Sequence, residues 1–197
     1  MLNFLPGKID AAARQKVALT RFGKSPMKIF TKIFSIIFLF ALCSLPVFAA
    51  EIMTFTLFDG EKVDGKLSLP ADASKIKELV IFVHGTGPAT YDNRRKIGGA
   101  ELNYFDNFAE EFNQRGIAFF TYNKRGITIG DTPPMYEKID REKYKKVLPS
   151  IEVKDIATFI GTLRKDKRLS KAKVVLLGWS EGWKLVLERE EELQLPN

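Results

Sequence analysis

The sequence predicts an α/β domain in which an antiparallel hairpin leads into a mostly parallel sheet with flanking helices. Two observations support this fold class. Apolar and polar residues alternate early in the domain, whereas later strand-length runs are apolar throughout, as in strands that are covered on both faces. The segments between those later runs repeat at helical spacing. Strands that alternate with helices favour right-handed crossovers and a parallel sheet.

The hairpin is predicted from alternation around a turn. Residues 53–57 and 63–69 each alternate apolar and polar side chains, and Asp59-Gly60 lies between them. This arrangement is typical of an antiparallel pair of strands that has one face in water. Three continuous apolar runs then predict the buried strands of the parallel sheet: Leu79–Val83, Ile117–Tyr122 and Val174–Leu177.

Two helices are predicted between these strands. From Phe105 to Phe112 the apolar residues recur at i, i+3, i+4 and i+7, with Asn103 as the N-cap and Gly116 as the stop. The same spacing from Val153 to Leu163 predicts a second helix after Pro149-Ser150. The polar stretch between the two helices, Thr128 to Leu148, indicates a long surface loop.

The net charge of +7 does not indicate a nucleic-acid partner. Residues 1–50 carry a net charge of +6 and the remaining residues only +1, so the domain itself is close to neutral. Nucleic-acid binding requires cations clustered on the folded surface. The basic runs Asn93–Lys96 and Lys143–Lys146 are interpreted as solvated faces, and we expect no nucleic-acid partner.

The first 49 residues indicate export. A short cationic segment begins at Met27, an apolar stretch runs from Ile33 to Phe48, and Val47-Phe48-Ala49 supplies the small residues of a cleavage site. We therefore predict a signal peptide at 27–49, preceded by a non-native extension at 1–26. The protein is expected to be secreted or periplasmic, with no membrane association after cleavage; an uncleaved anchor is the alternative.

Metal and thiol chemistry is not expected. The single cysteine, Cys43, lies in the predicted signal peptide, and Leu42 before it does not fit a lipoprotein signal. A mature chain without cysteine forms no disulfide or thiolate site. With one histidine in the sequence, a multi-histidine zinc site is excluded, and no cofactor is expected.

A nucleophile motif follows the last predicted strand. The pentapeptide Gly178-Trp179-Ser180-Glu181-Gly182 matches the G-x-S-x-G pattern, with a strand before it and a helical pattern after it. A serine exposed at the carboxyl edge of a sheet needs a sharp turn. Glycines two residues to either side remove side chains that would collide where strand and helix pass.

A second motif, His84-Gly85-Thr86-Gly87-Pro88, directly follows the strand Leu79–Val83. Its glycines allow backbone N–H groups to face a developing oxyanion. With the elbow, these residues resemble the α/β-hydrolase superfamily, and in particular secreted bacterial members with a His-Gly-Ser/Thr-Gly-Pro loop. The segment Tyr122–Gly126 also resembles their Tyr-Asp-Lys-Arg-Gly segment. The resemblance covers about Glu51 to Gly182, which defines the predicted hydrolase region at 50–182.

The resemblance implies a serine esterase or peptidase that acts on small ester, thioester or peptide-like substrates through an acyl-enzyme. Ser180 would be the nucleophile, and the backbone N–H groups of Glu181 and Thr86, or Gly85, would form the oxyanion hole. His84 is expected to be structural rather than the catalytic base, because the base follows the serine along the chain in this fold.

The triad acid and base are not identified. Only 17 residues follow Ser180 and none is histidine, so we expect a C-terminally truncated fold whose later strands are missing, with a divergent tail at 183–197. Trp183 is expected to overpack the helix crossing, at about 1–3 kcal/mol. The carboxylates considered and interpreted as solvated are Asp131, Asp155, Glu188 and Glu190–Glu192.

Three interpretations remain open: a hydrolase inactive as this chain, a non-catalytic remnant or binding module, and one half of a split hydrolase. Truncation would leave Val174–Leu177 as an uncovered apolar edge, so we expect poor solubility of the isolated chain. The sequence does not identify the substrate or the oligomeric state.

Overall fold

The computed structural model describes residues 49–193, and side chains from 50 to 187. Nine strands are described, in chain order: β1 (Ala49–Thr56), β2 (Lys62–Leu69), β3 (Glu78–Val83), β4 (Arg94–Ile97), β5 (Ala100–Asn103), β6 (Ala118–Tyr122), β7 (Ile127–Ile129), β8 (Glu137–Ile139) and β9 (Lys173–Gly178). The α-helices are α1 (Tyr104–Gln114), α2 (Arg141–Tyr144), α3 (Pro149–Leu163) and α4 (Gly182–Leu193). The predicted extension at 1–26 and signal peptide at 27–49 lie outside the described side chains.

The main sheet has the strand order β1-β2-β6-β3-β9. Strand β2 is antiparallel to both of its neighbours, β1 and β6, whereas β3 is parallel to β6 and to β9. Four of the five strands therefore run in the same direction. This confirms the predicted fold class: an antiparallel hairpin leading into a mostly parallel sheet.

The predicted strands and long helices are present with small shifts at their ends. Strand β1 begins four residues before the predicted residue 53, and the hairpin turn places Gly60 at a φ of 87°. Helix α1 is capped by the Asn103 side chain, which accepts a hydrogen bond from the Asp106 N–H, and Gly116 follows it at a φ of 76°. Helix α3 begins at Pro149, which suits a first helical position because proline has no N–H to donate.

Helices cover both faces of the sheet, which explains the continuous apolar runs. Alternate residues of β3 point to opposite sides: Leu79 and Ile81 pack in the cluster that contains α3, whereas Val80 and Phe82 pack against α1. Helices α3 and α4 contribute to the first cluster and α1 to the second. The carboxyl ends of β3 and β9 emerge between these layers.

The prediction that Thr128 to Leu148 form a long surface loop is wrong in part. It contains most of the β7–β8 hairpin and the short helix α2, and a second hairpin, β4–β5, precedes it. These strands have only three or four residues, so any alternation within them is too short for periodicity to identify. Polar contacts join the two hairpins instead: the Tyr136 hydroxyl donates to Glu101 at 2.6 Å, and the Lys96 N–H donates to the Pro134 carbonyl at 2.9 Å.

The prediction that the basic runs are solvated is confirmed for the run 143–146 and is wrong for Arg95 in the other run. In the run 143–146, the three lysines are exposed. The Arg95 side chain is only 16% exposed, because it pairs with Glu137 at 2.9 Å and donates to the carbonyl of Met135 at 2.9 Å. This arginine joins the two hairpins.

Strand β9 forms one edge of the main sheet within residues 49–193. It pairs with β3 along all six of its residues, and no described strand covers its other side. Leu177 is 40% exposed, so the edge is both open and apolar, as expected for this strand. In the described part of the chain, no helix is long and apolar enough to span a bilayer.

Candidate active site

Ser180 lies on a sharp turn between strand β9 and helix α4. Its φ is 53°, in the left-handed region that non-glycine residues rarely adopt. The turn is closed by the Gly182 N–H, which donates to the Trp179 carbonyl at 2.9 Å. A serine with this strained backbone, placed between a strand and a helix, has the geometry expected of a nucleophile elbow.

The two glycines of the motif are required by close backbone contacts. A Cβ atom at Gly178 would lie 2.7 Å from the Cα and N atoms of Trp183. A Cβ atom at Gly182 would collide with the Val83 carbonyl oxygen and would lie 2.7 Å from the His84 carbonyl oxygen. Helix α4 therefore passes directly over the end of β3, with no space for a methyl group.

The expectation that Trp183 overpacks this crossing is wrong. Its side chain is 52% exposed, and Lys184 Nζ lies 5.9 Å from its ring centre. Gly182 rather than Trp183 occupies the crossing point, so the bulky ring faces outward. Leu185 supplies the buried contact of α4, with a 6% exposed side chain.

The loop after β3 lies against the serine. A Cβ atom at Gly85 would be 2.9 Å from Ser180 Cβ and 2.7 Å from the Trp179 carbonyl oxygen. The Thr86 hydroxyl donates to Glu181 Oε2 at 2.6 Å. The structure thus brings together the four residues predicted for the site: Gly85, Thr86, Ser180 and Glu181. Among the described residues, no protein acceptor takes the backbone N–H of Thr86 or Glu181.

His84 does not have the environment of a catalytic base. It is 4% exposed, and its Nε2–H donates to the Tyr122 carbonyl oxygen at 2.7 Å. Burial lowers the pKa of His84 to about 3, so the imidazole is neutral near pH 7. The ring packs against Tyr122 and Phe105, at centroid distances of 4.7 and 5.5 Å. Its contacts are those of a structural residue that joins β3 to β6.

Lys124 is a site residue that the sequence argument did not single out. Its Nζ donates to the Gly85 carbonyl at 3.1 Å and pairs with Glu152 at 2.6 Å, and its side chain is 8% exposed. The Lys124 N–H also donates to the Ala89 carbonyl at 3.0 Å. The lysine therefore holds both ends of the loop that lies against Ser180. In the sequence, only the position of Lys124 within the Tyr122–Gly126 segment indicated that it belongs to the site.

Arg125 explains why the solvated interpretation of Asp155 is wrong. The Asp155 side chain is 7% exposed, and its carboxylate accepts hydrogen bonds from Arg125 Nε at 2.6 Å and Nη2 at 2.7 Å. Arg125 also binds Asp59 at 2.6 Å, which ties β6 to the hairpin turn. The hydrogen bonds that Arg125 donates to Asp155 and then to Asp59 raise its pKa above the ordinary value of an arginine. Asp155 is therefore part of a structural ion pair.

Asp131 is the one remaining acidic candidate whose side chain the structure describes. The Asp131 side chain is 93% exposed, as expected of a solvated carboxylate. The Glu188 side chain and those of Glu190–Glu192 lie outside the described residues. Within the described residues, no group of three or more histidine, cysteine, aspartate or glutamate side chains could hold a metal ion.

Two clefts share the lining residues His84, Gly85 and Thr86. One, of about 450 Å³, is lined by Lys124, Glu152, Glu181 and Lys184 among others, and is charged. The other, of about 550 Å³, contains Ser180 and is lined largely by aromatic rings. Both volumes are in the range of small-molecule sites.

No family model matches the chain, and no curated protein matches it. Solved structures are similar at low identity. One, described as a dipeptidyl aminopeptidase IV from Bacteroides ovatus, has a TM-score of 0.50 and 18% identity, covering 75% of this chain and 20% of that one. A cold-adapted esterase from an Arctic intertidal metagenomic library has a TM-score of 0.48 and 18% identity, covering 71% and 54%. An alpha/beta hydrolase from Penicillium has a TM-score of 0.47 and 18% identity, covering 72% and 41%.

The strand order and the first of these likenesses show the fold: the chain has an incomplete α/β-hydrolase fold. It spans 20% to 54% of the length of the three structures. The described region contains the five-stranded main sheet, whose last strand along the chain is β9, and helix α4, which follows the turn at Ser180.

The close contact at Gly182 predicts a loss of stability on substitution. Gly182→Ala should lower the free energy of unfolding by about 1–3 kcal/mol, because backbone must move to admit the methyl group. The control is Gly161→Ala in α3, where a Cβ atom meets nothing within 4 Å. That change should raise the free energy by about 0.5–1 kcal/mol. Urea unfolding measures both; equal effects would contradict the crossing described above.

Buried, neutral His84 predicts a loss of stability in acid. The folded-state pKa is about 3 and the ordinary value is 6.5, so the unfolded chain takes up the proton first. The stability that neutral His84 contributes is complete above about pH 6.5 and is lost as the pH falls toward the folded-state pKa. At pH 5 the loss is about 2 kcal/mol.

Urea unfolding of the parent and of His84→Gln between about pH 7.5 and pH 5 measures this effect. Glutamine can keep a donor near the Tyr122 carbonyl but does not titrate. The variant should be less stable at neutral pH and lose less stability in acid. Parallel pH profiles for the two proteins would refute the assignment of the effect to His84.

Proposed function

We propose that this chain carries the nucleophile and the oxyanion hole of a serine hydrolase that acts on ester, thioester or peptide-like bonds. Ser180 Oγ attacks the carbonyl carbon as its proton passes to a base, and the tetrahedral intermediate expels the alcohol, thiol or amine, which takes up that proton, to leave an acyl-enzyme. Water then attacks the acyl-enzyme, releases the acid and returns a proton to Ser180 Oγ. The backbone N–H group of Glu181 and that of Thr86, or of Gly85 in its place, stabilise the negative oxygen. The observation that carries the proposal is the left-handed φ of Ser180, combined with the close approach of Gly85 to the Cβ atom of Ser180.

The environment of the two N–H groups supports the oxyanion role. They belong to the residue after the serine and to the glycine loop beside it, and the Thr86–Glu181 hydrogen bond holds these two residues together. Removing one such donor costs about 2.7–4 kcal/mol in other serine hydrolases. The Lys124 contact to Gly85 fixes the loop before substrate arrives, so little reorganisation is needed during the reaction.

The base is a separate part of the proposal. The sequence contains one histidine, and His84 is engaged with Tyr122. A histidine base would therefore come from outside these 197 residues. Without a base the serine hydroxyl is not activated, and loss of triad members lowers rates by about 10⁴–10⁶. We accordingly propose that Ser180 of the isolated chain reacts slowly.

A split hydrolase is the second candidate, and the open edge of β9 favours it. The free side of β9 ends two residues before Ser180, and Leu177 on that strand is 40% exposed. A partner chain that added strands there could place an acid and a base beside the serine. A non-catalytic remnant is the interpretation in which no such partner exists.

We also propose export of the protein, on the strength of the cationic and apolar segments between Met27 and Ala49. Expression in a bacterial host with a secretion system should yield a mature protein that begins at about residue 50. Mass spectrometry of the N-terminal peptide measures this. An intact leader on the exported protein, or retention of the whole chain in the cytoplasm, would contradict export.

A fluorophosphonate probe tests the nucleophile. Slow modification of the full chain should fall on Ser180 in preference to exposed Ser170, because an oxyanion hole without a base still gives about 10³–10⁴ over water. Peptide mapping identifies the modified serine, and Ser180→Ala should abolish the selective signal.

Each outcome separates the interpretations. Equal labelling of Ser180 and Ser170 would remove the nucleophile assignment. Rapid labelling of Ser180 in the isolated chain would show that a base is present and would overturn the slow-reaction proposal. Rapid labelling only after addition of a partner chain would select the split hydrolase.

A further inference from the structure

The cleft that contains Ser180 has one aromatic wall. Its volume is about 550 Å³, enough for a ring with a short ester. Ser180, Gly85 and Thr86, where the proposed reaction would occur, are among its lining residues. The five phenylalanine, tyrosine and tryptophan side chains that line it are Phe82, Tyr104, Phe105, Phe108 and Trp179.

These rings present an ordered but partly exposed surface. The ring centres of Phe82 and Phe105 are 4.7 Å apart, and Phe108 is nearly parallel to Phe82 at 6.3 Å. Phe108 is 42% exposed and Trp179 is 68% exposed. Covering such surface with an apolar group is favourable, at about 25 cal/mol per Å². An aromatic group gains further from tilted or offset contacts with the existing rings.

The charge on this wall is already compensated. His84 is neutral near pH 7 because burial lowers its pKa to about 3. Arg95 Nη1 donates to Glu137 and Met135 at 2.9 Å and to the Arg94 carbonyl at 3.0 Å. The arginine therefore offers little net attraction to an anion. This differs from the second cleft, where several lysines and glutamates are present.

We infer that this cleft binds the ring-bearing acyl group of a neutral ester. The inference rests on the proposed function and adds the substrate class. The ring lies against Phe82, Phe105 and Phe108, and the ester carbonyl faces Gly85 and Ser180. Binding does not require the chemical step, so the selectivity of the cleft can be measured without a base.

The test uses a full chain that cannot form an acyl-enzyme and has one tryptophan. Ser180→Ala removes the nucleophile, and Trp183→Phe leaves Trp179, in the cleft, as the sole tryptophan, whose fluorescence can be excited apart from that of the tyrosines. Titration with ethyl phenylacetate should change Trp179 fluorescence in a saturable manner. Ethyl acetate, which lacks the ring, should bind at least about tenfold more weakly.

Two further variants locate the binding. Phe108→Ala in this background removes one ring of the wall and should weaken binding of ethyl phenylacetate roughly tenfold. Phe58→Ala is the matched control, because Phe58 is 50% exposed and does not line the cleft. It should leave the affinity unchanged. Equal binding of the two esters, no saturable binding, or equal effects of the two variants would each overturn the inference.

The outcome is separable from that of the proposed function. If Ser180 is not modified selectively by the fluorophosphonate but the ring-dependent binding is observed, the cleft is a binding site without a reactive serine. If Ser180 is modified selectively and the esters bind equally, the nucleophile stands and the aromatic substrate class is wrong.

Discussion

The arrangement of the site depends on one close backbone crossing. Helix α4 passes over the end of β3 at Gly182, and the loop after β3 returns to the elbow at Gly85. Because β3 and β9 are neighbours in the sheet and run parallel, their carboxyl ends meet at the same edge. Two glycines at the crossing let the serine and the glycine loop come into contact. Side chains at either position would separate the proposed nucleophile from the proposed donors.

Polar contacts around β6 then hold that crossing in place. Three consecutive residues after β6 have different tasks: Asn123 accepts the Tyr91 N–H, Lys124 holds the Gly85 carbonyl, and Arg125 binds Asp155. Asn123 and Lys124 join the end of β6 to the loop between β3 and β4, and Arg125 joins it to α3. Burying such charges is tolerated because each has a partner at hydrogen-bond distance. The short segment therefore connects the hairpin, α3 and the loop beside Ser180.

The parts of the structure that follow from periodic burial were predictable from the sequence. Continuous apolar runs identified β3, β6 and β9, and the glycines around Ser180 predicted a sharp turn there, because steric limits act on adjacent residues. The β4–β5 and β7–β8 hairpins were not predictable, since they are held by pairs such as Arg95–Glu137, 42 residues apart in the sequence. Asp155 was misinterpreted for the same reason: its partner is 30 residues away.

The one-sided pairing of β9 has a geometric consequence. Within residues 49–193, the sheet can be extended only at β1 or at β9, and β9 is the strand that leads into the elbow. A strand hydrogen-bonded alongside β9 would run within one residue of the turn that carries Ser180. Growth of the sheet and remodelling of the surroundings of that serine would then be a single event.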